Sequence, residues 1–115
     1  MSKPASTVRG HTYERDIVKE LTSRGYEAAT ARYASRMLDD QGVDIATNYP
    51  FRIQCKATVR PPNIHDLLTT TAADVIFWRR IVKQGKQFYK DGEYVTLSQE
   101  DFLELVEKAH KKKQP

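Results

Sequence analysis

Four polar residues carry the chemistry that this sequence could perform: Glu14, Asp44, Gln54 and Lys56. The segment FRIQCKAT, residues 51–58, alternates apolar and polar side chains, which predicts a half-buried strand with Gln54 and Lys56 on its polar face. Carboxylate and amide oxygens are ligands that Mg²⁺ or Mn²⁺ prefers, and a lysine beside them can orient a water or offset charge on a phosphate. The first question is therefore which elements bring the four residues together.

Glu14 lies where an apolar residue is expected. A helix is predicted from His11 or Thr12 to about Arg24, ended by Gly25. At about 100° per residue, Glu14 falls inside the apolar stripe of this helix, which consists of Tyr13, Ile17, Val18 and Leu21. A carboxylate there is costly unless it is paired, hydrogen-bonded or bound to a metal. The alternative interpretation is a glutamate at the helix start that favours the dipole and reaches water.

Asp44 belongs to the segment GVDI, and aspartate is a poor strand residue, so a compensating interaction is expected. We predict a hairpin with its turn at residues 48–50. If the turn centres on Tyr49, Asp44 lies opposite Gln54 and both project with Lys56, while Glu14 approaches from the packed helix. A shift of one residue would turn Asp44 into the core, so this cluster depends on the register.

The remaining pattern predicts an α/β protein. YEAATAR is a plausible strand, YASRMLDDQG a polar loop, NIHDLL a short helix capped by Asn63, and ADVIFWRRIV, KQFYK and EYVTL are strand segments. Ser98 is predicted to cap a C-terminal helix whose inner side holds Phe102, Leu105, Val106 and Ala109. The expected architecture is a single domain with a central mixed β-sheet flanked by helices. Residues 1–10 are predicted to be a flexible basic arm, 11–110 the folded domain and 111–115 a basic tail.

Composition limits the function classes. Lys and Arg number 19 against 15 Asp and Glu, a formal charge of +4, which favours a polyanionic partner. No apolar run is long enough for a membrane span and no signal-peptide core is present, so we expect a soluble cytoplasmic protein without membrane contact. The single cysteine, Cys55, cannot form an internal disulfide and is predicted to be a buried packing residue.

Three segments together resemble a known family. The helix GHTYERDIVKELTSRGYEA, the loop ARYASRMLDDQGVDI and the strand FRIQCKAT resemble the PD-(D/E)xK nuclease superfamily, and within it the archaeal-type Holliday junction resolvases. The resemblance covers roughly residues 9–58. It implies a restriction endonuclease-like fold and a nuclease domain over residues 11–110. It also implies Mg²⁺- or Mn²⁺-dependent hydrolysis of phosphodiester bonds in four-way DNA junctions, as in DNA recombination and repair.

The resemblance also assigns roles to individual residues. Glu14 matches the helix glutamate, Asp44 the metal-binding aspartate, and Gln54 and Lys56 the (D/E)xK pair. The carbonyl of Cys55 is implied as a further metal ligand. Gln54 stands where the family usually has an acid, so weaker metal binding is expected and an inactive DNA-binding relative is an alternative.

Other residues are implied in activity or DNA contact. Ser35 falls in a loop where relatives carry a serine implicated in activity. A basic residue and a glycine precede the family's helix, which suggests a phosphate contact at this position. The residues expected to contact DNA are Arg9, Gly10, Arg32, Arg36 and Arg60.

Two further points stay open from the sequence. Another nuclease of the superfamily, cutting branched or duplex DNA, is an alternative to the junction resolvase. Because resolution requires two symmetric nicks and the chain has one cluster, we expect a homodimer. The strand VIFWRRIV and the C-terminal helix are the expected contact surfaces, since the adjacent Phe77 and Trp78 must point to opposite faces of a strand.

Overall fold

The computed structural model describes residues 3–113. These residues form five helices and five strands, in the order α1 Ala5–Ser23, β1 Ala28–Thr30, α2 Ala31–Ala34, α3 Arg36–Asp40, β2 Ile45–Thr47, β3 Ile53–Thr58, α4 Ile64–Thr70, β4 Val75–Gln84, β5 Gln87–Leu97 and α5 Gln99–Lys113. In this described range no helix is both long and apolar enough to cross a membrane.

The strands form two sheets. β1 and β2 pair antiparallel as a small two-stranded sheet. The main sheet has the order β3-β4-β5, with β3 parallel and β5 antiparallel to β4, so that Lys56 lies beside Trp78 and Trp78 beside Tyr94. The predicted single-domain α/β architecture with a mixed sheet and helices is confirmed.

Helix α1 covers one face of the main sheet. Its apolar stripe packs Tyr13, Ile17 and Leu21 against Ile53 and Cys55 in one buried cluster. Burial of these side chains supplies the main stabilisation of the fold, about 25 cal/mol per Å² of apolar surface. The helix ends as predicted, because Gly25 adopts a positive φ of 94° that other residues rarely take.

The start of α1 differs from the prediction. The helix begins at Ala5, directly after Pro4, and the Val8 N–H donates to the Pro4 carbonyl at 3.1 Å. The predicted flexible arm is therefore wrong for residues 5–10. Contact between the Arg9 guanidinium and the Phe88 ring, 4.1 Å from its centroid, adds a tertiary interaction that holds this turn in place. Residues 1 and 2, and residues 114 and 115 of the predicted tail, lie outside the described range.

The predicted hairpin is also wrong. β2 pairs with β1 rather than with β3, and β3 pairs with β4. Residues 48–50 include no glycine to adopt the positive φ of a tight two-residue hairpin. Instead the Tyr49 ring packs on Tyr26, 4.8 Å between centroids, which holds the connection against the end of α1.

The segment predicted as a polar loop is helical in part. It contains the end of α2 and all of α3, separated at Ser35, and α2 begins at Ala31 within the predicted strand segment YEAATAR. The Ser35 hydroxyl accepts a hydrogen bond from the Leu38 N–H at 3.3 Å and so caps α3. The predicted caps of the later helices are confirmed: Asn63 accepts from Asp66 in α4, and Ser98 accepts from Asp101 in α5, both at 3.1 Å.

The C-terminal helix lacks the predicted inner side. Phe102, Leu105 and Val106 are 52%, 43% and 48% exposed, and the other described side chains of α5 are exposed as well, apart from the half-buried Asp101. The chain is elongated, with extents of 55 × 30 × 30 Å. The apolar stripe of α5 exists in sequence, but the described residues provide no layer that covers it.

Candidate active site

Three hydrogen bonds to main-chain atoms hold Asp44 in place, two of them to the outer edge of β3. Its N–H donates to the Ile53 carbonyl at 2.8 Å, and its carbonyl accepts from the Ala31 N–H at 2.8 Å. Its carboxylate Oδ2 accepts from the Cys55 N–H at 2.7 Å. The carboxylate therefore lies against the main chain between Gln54 and Lys56. These bonds hold it there although the predicted hairpin is absent.

The electrostatics of Asp44 indicate which charged groups surround it. The pKa of Asp44 is raised from 3.8 to about 6, chiefly by burial and also by the charge of Glu14, against the opposing effects of the Cys55 N–H and the charge of Lys56. Both Glu14 and Lys56 thus lie within electrostatic range of this carboxylate. Of the predicted cluster, the structure brings together Glu14, Asp44 and Lys56 beside the strand that carries Gln54.

Gln54 is buried with an unsatisfied oxygen. The residue is 8% exposed, and its Oε1 accepts no hydrogen bond from any group between residues 3 and 113. A buried polar atom without a partner costs about 1–3 kcal/mol, so such atoms often mark a site that a ligand completes. Gln54 and Lys56 are two residues apart on one strand and share the face of the sheet opposite α1.

Glu14 is buried in the middle of α1 rather than at its start. Its Oε1 accepts from Arg32 Nε at 3.1 Å, and its side chain is 10% exposed. The interpretation of Glu14 as a solvated glutamate at the helix start is wrong, because α1 begins at Ala5. Next to this pair, burial and the charge of Arg32 lower the pKa of His11. Arg32, predicted to contact DNA, is therefore also the counter-charge of Glu14, which the sequence spacing did not indicate.

Three other predicted site residues have structural contacts. Ser35 caps α3, so its oxygen already accepts one hydrogen bond. The Cys55 thiol is buried in the core as predicted, and burial raises its pKa, so the residue contributes to the site through its main chain. Arg9 stacks on Phe88 instead of preceding the helix, and its Nε is buried with no partner among residues 3–113.

The exposed arginines of the site differ in their surroundings. Arg36 lies 3.9 Å from Asp40, one turn along α3, and its side chain is almost fully exposed. Arg60 is exposed in the segment after β3, where its carbonyl accepts from the Thr58 hydroxyl at 2.6 Å. Both residues are exposed, and their contact with DNA stays a prediction.

Gly10 lies inside α1, where glycine is unfavourable by about 1 kcal/mol relative to alanine. A Cβ added at Gly10 would meet no atom within 4 Å, so the chain itself provides no steric reason for glycine. We expect Gly10→Ala to stabilise the fold by about 0.5–1 kcal/mol in urea denaturation, because it removes backbone entropy from the unfolded state.

The same variant tests the predicted DNA contact at this position. If a phosphate approaches the Gly10 backbone, Gly10→Ala should weaken DNA binding while raising stability. Thr7→Ala, which lies one turn earlier in α1, is the control for both measurements. Unchanged DNA affinity in Gly10→Ala would remove Gly10 from the DNA surface.

Two aromatic residues next to the cluster were not predicted as site residues. The sheet register places Lys56, Trp78 and Tyr94 in one row across three strands. The Trp78 and Tyr94 rings lie 5.6 Å apart, and Trp78 Nε1 donates to the Thr58 hydroxyl at 3.0 Å. The sequence suggested Trp78 only as an interface residue, because local sequence patterns do not show that β3 pairs in parallel with β4.

The donor set fits a hard divalent cation in its chemistry. Glu14 and Lys56 both act on the Asp44 carboxylate beside β3, and Gln54 on that strand carries an unsatisfied amide oxygen. The described residues contain no group of three or more His, Cys, Asp or Glu side chains that could hold a metal ion, in keeping with an amide at position 54.

No family model, curated protein or solved structure matches this chain.

Proposed function

We propose that this protein is a metal-dependent, structure-selective DNA endonuclease of the PD-(D/E)xK type, with the fold of restriction endonucleases, that cuts four-way junctions. One observation carries the proposal: the Asp44 carboxylate is hydrogen-bonded to the main chain between Gln54 and Lys56. Glu14 and Lys56 both act on its pKa. The acid of the motif is thus held at the strand that carries the amide and the amine, which supports the proposal.

Asp44, Gln54, Glu14 and the Cys55 carbonyl are the residues that would hold Mg²⁺ or Mn²⁺. Such a cation supplies a water of lowered pKa and offsets charge on the phosphate. Lys56 would donate a hydrogen bond to the attacking water or to a phosphate oxygen, and would stabilise the negative charge that develops there. Arg32 would continue to hold Glu14 in place, because their 3.1 Å contact orients the carboxylate.

The surface around the cluster suits a nucleic acid. Arg32 pairs with Glu14 of the cluster, Arg36 and Arg60 are exposed, and the chain has a net charge of +4. The rings of Trp78 and Tyr94 beside Lys56 offer a surface on which an unpaired base at a branch point could stack. Contacts to phosphates should make binding fall steeply with salt.

A second candidate function is a DNA-binding module without catalysis. The amide at position 54 and the two-carboxylate donor set favour it, because less negative charge binds Mg²⁺ more weakly. A third candidate, another nuclease of the superfamily, uses the same cluster on duplex or forked DNA.

One assay separates the three candidates. Labelled four-way junction, fork and linear duplex DNA are each incubated with the protein in Mg²⁺, Mn²⁺ or EDTA. Paired metal-dependent nicks in the junction support the proposal. Equal cutting of fork and duplex would indicate another nuclease, and junction binding without any nick would indicate the binding module.

Gln54→Glu tests whether Gln54 belongs to the metal site. A carboxylate there should attract the cation more strongly, so we expect half-maximal cleavage at an about tenfold lower Mg²⁺ concentration. Gln84→Glu adds the same charge at an exposed position near the end of β4 and should leave the Mg²⁺ dependence unchanged. A Gln54→Glu protein that needs more Mg²⁺ than the natural chain would exclude Gln54 as a ligand.

A further inference from the structure

The C-terminal helix α5, Gln99–Lys113, is exposed along its described length although it is amphipathic. At about 100° per residue, Leu105, Ala109, Phe102 and Val106 lie within about one third of its circumference. An isolated helix of this length is marginal in water, because tertiary packing of the apolar face supplies most helix stability. The exposed stripe of α5 is therefore a surface with a missing partner.

The body of the protein forms one wall beside this stripe. A groove of about 660 Å³ separates α5 from the connection before β3. Pro50 and Phe51 line one side, and Leu105 and Ala109 line the other together with charged side chains. An apolar helix placed in this groove would contact both walls at once.

The charges along α5 indicate what that helix is. Three acids, Glu100, Asp101 and Glu104, lie in the first half of α5, and Glu107 lies just past its middle. The second half carries Lys108 and Lys111. A second α5 placed antiparallel against the first would set acidic half against basic half at both ends. The charge pattern is thus complementary to itself under two-fold symmetry.

We propose that α5 pairs antiparallel with α5 of a second copy of this chain, in a two-fold symmetric dimer that buries the stripe of Phe102, Leu105, Val106 and Ala109. Asp101 and Lys108 are seven residues apart and lie on the same flank of the stripe. In an antiparallel pair, this flank of one helix lies against the same flank of the other helix. Asp101 of one copy then contacts Lys108 of the other, and the two-fold axis generates a second, equivalent contact. This surface does not depend on the nuclease function, but it places two candidate active sites in one particle.

Charge variants test the pairing. In Asp101→Lys, two lysines meet at both contacts, and in Lys108→Asp two aspartates meet. Each variant alone should raise the dimer dissociation constant at least about tenfold. An equimolar mixture of the two should form a heterodimer, because every contact then joins a lysine to an aspartate. The masses are measured by analytical ultracentrifugation at micromolar concentration, without DNA or metal, so failure of the nuclease proposal does not affect the result.

A second pair of variants tests the apolar stripe. Leu105→Asp should give a monomer with the circular dichroism of a folded chain, whereas Met37→Asp, on exposed α3, should stay dimeric. A natural chain that is monomeric would overturn the proposal and indicate a different protein as the occupant of the groove. A dimer that survives Leu105→Asp, or single variants that fail to combine when mixed, would also overturn it.

Discussion

Asp44→Asn is expected to lower the rate of metal-dependent junction cleavage by at least about a hundredfold while junction binding is retained. The substitution removes a negative charge from the candidate metal site but keeps an oxygen that can accept the Cys55 N–H. Cleavage is measured under single-turnover conditions, and binding by gel shift in Ca²⁺. Asp40→Asn, on exposed α3, is the control and should cleave at the natural rate.

The same variant should change stability with a defined sign. The folded-state pKa of Asp44 is about 6, above the ordinary 3.8, so the folded state binds the proton more tightly than the unfolded state. Asp44 therefore costs no stability below about pH 4 and costs progressively more as the pH rises to about 6. Above pH 6, Asp44→Asn should be more stable than the natural chain by on the order of 3 kcal/mol, with almost no difference at pH 3.5.

Two results would count against this assignment of Asp44. Loss of the fold in Asp44→Asn at neutral pH would make the residue structural. Cleavage at the natural rate in a folded Asp44→Asn protein would place the catalytic site elsewhere. Urea denaturation at both pH values, run beside the cleavage assay, separates the two.

Arg79→Ala should have the largest effect on stability, a loss of about 2–3 kcal/mol. Arg79 is buried, and its Nη2 contacts Asp16 at 2.8 Å and Glu93 at 3.1 Å. Its guanidinium carbon lies 4.5 Å from the centroid of the Tyr13 ring. One side chain thus joins α1 to β4 and β5, and the substitution removes packing, two ion pairs and a cation–π contact together.

The neighbouring Arg80 provides a matched control. It is exposed and pairs with Asp91, and exposed ion pairs contribute roughly 0–1 kcal/mol, so Arg80→Ala should change stability by less than about 0.5 kcal/mol. Arg79→Met, which keeps an apolar side chain of similar length, should recover part of the loss. Equal unfolding midpoints for Arg79→Ala and Arg80→Ala in urea would show that the buried arginine contributes no more to stability than the exposed one.

Features that depend on neighbours along the chain are predictable from the sequence. The end of α1 at Gly25 and the caps at Asn63 and Ser98 were predicted, because each is a local match between a residue and a backbone conformation. Strand β3 and the position of Glu14 within the apolar stripe of α1 were also predicted, because the periodic spacing of apolar residues can be read from a short segment. All four residues of the candidate cluster were therefore identified from the sequence, without knowledge of where they lie in the fold.

The way in which these elements pack together depends on contacts between segments that are distant in sequence. β3 pairs in parallel with β4 instead of forming a hairpin with β2, and the two hydrogen bonds of Asp44 to Ile53 and Cys55 replace the predicted cross-strand register. Arg32 pairs with Glu14 across 18 residues of sequence, which no helix or strand period specifies. The stripe of α5 was recognisable, but its exposure depends on whether another layer of the chain lies within reach. Pairings between distant segments follow from the competition among all possible contacts, and a single strand or helix carries too little information to settle it.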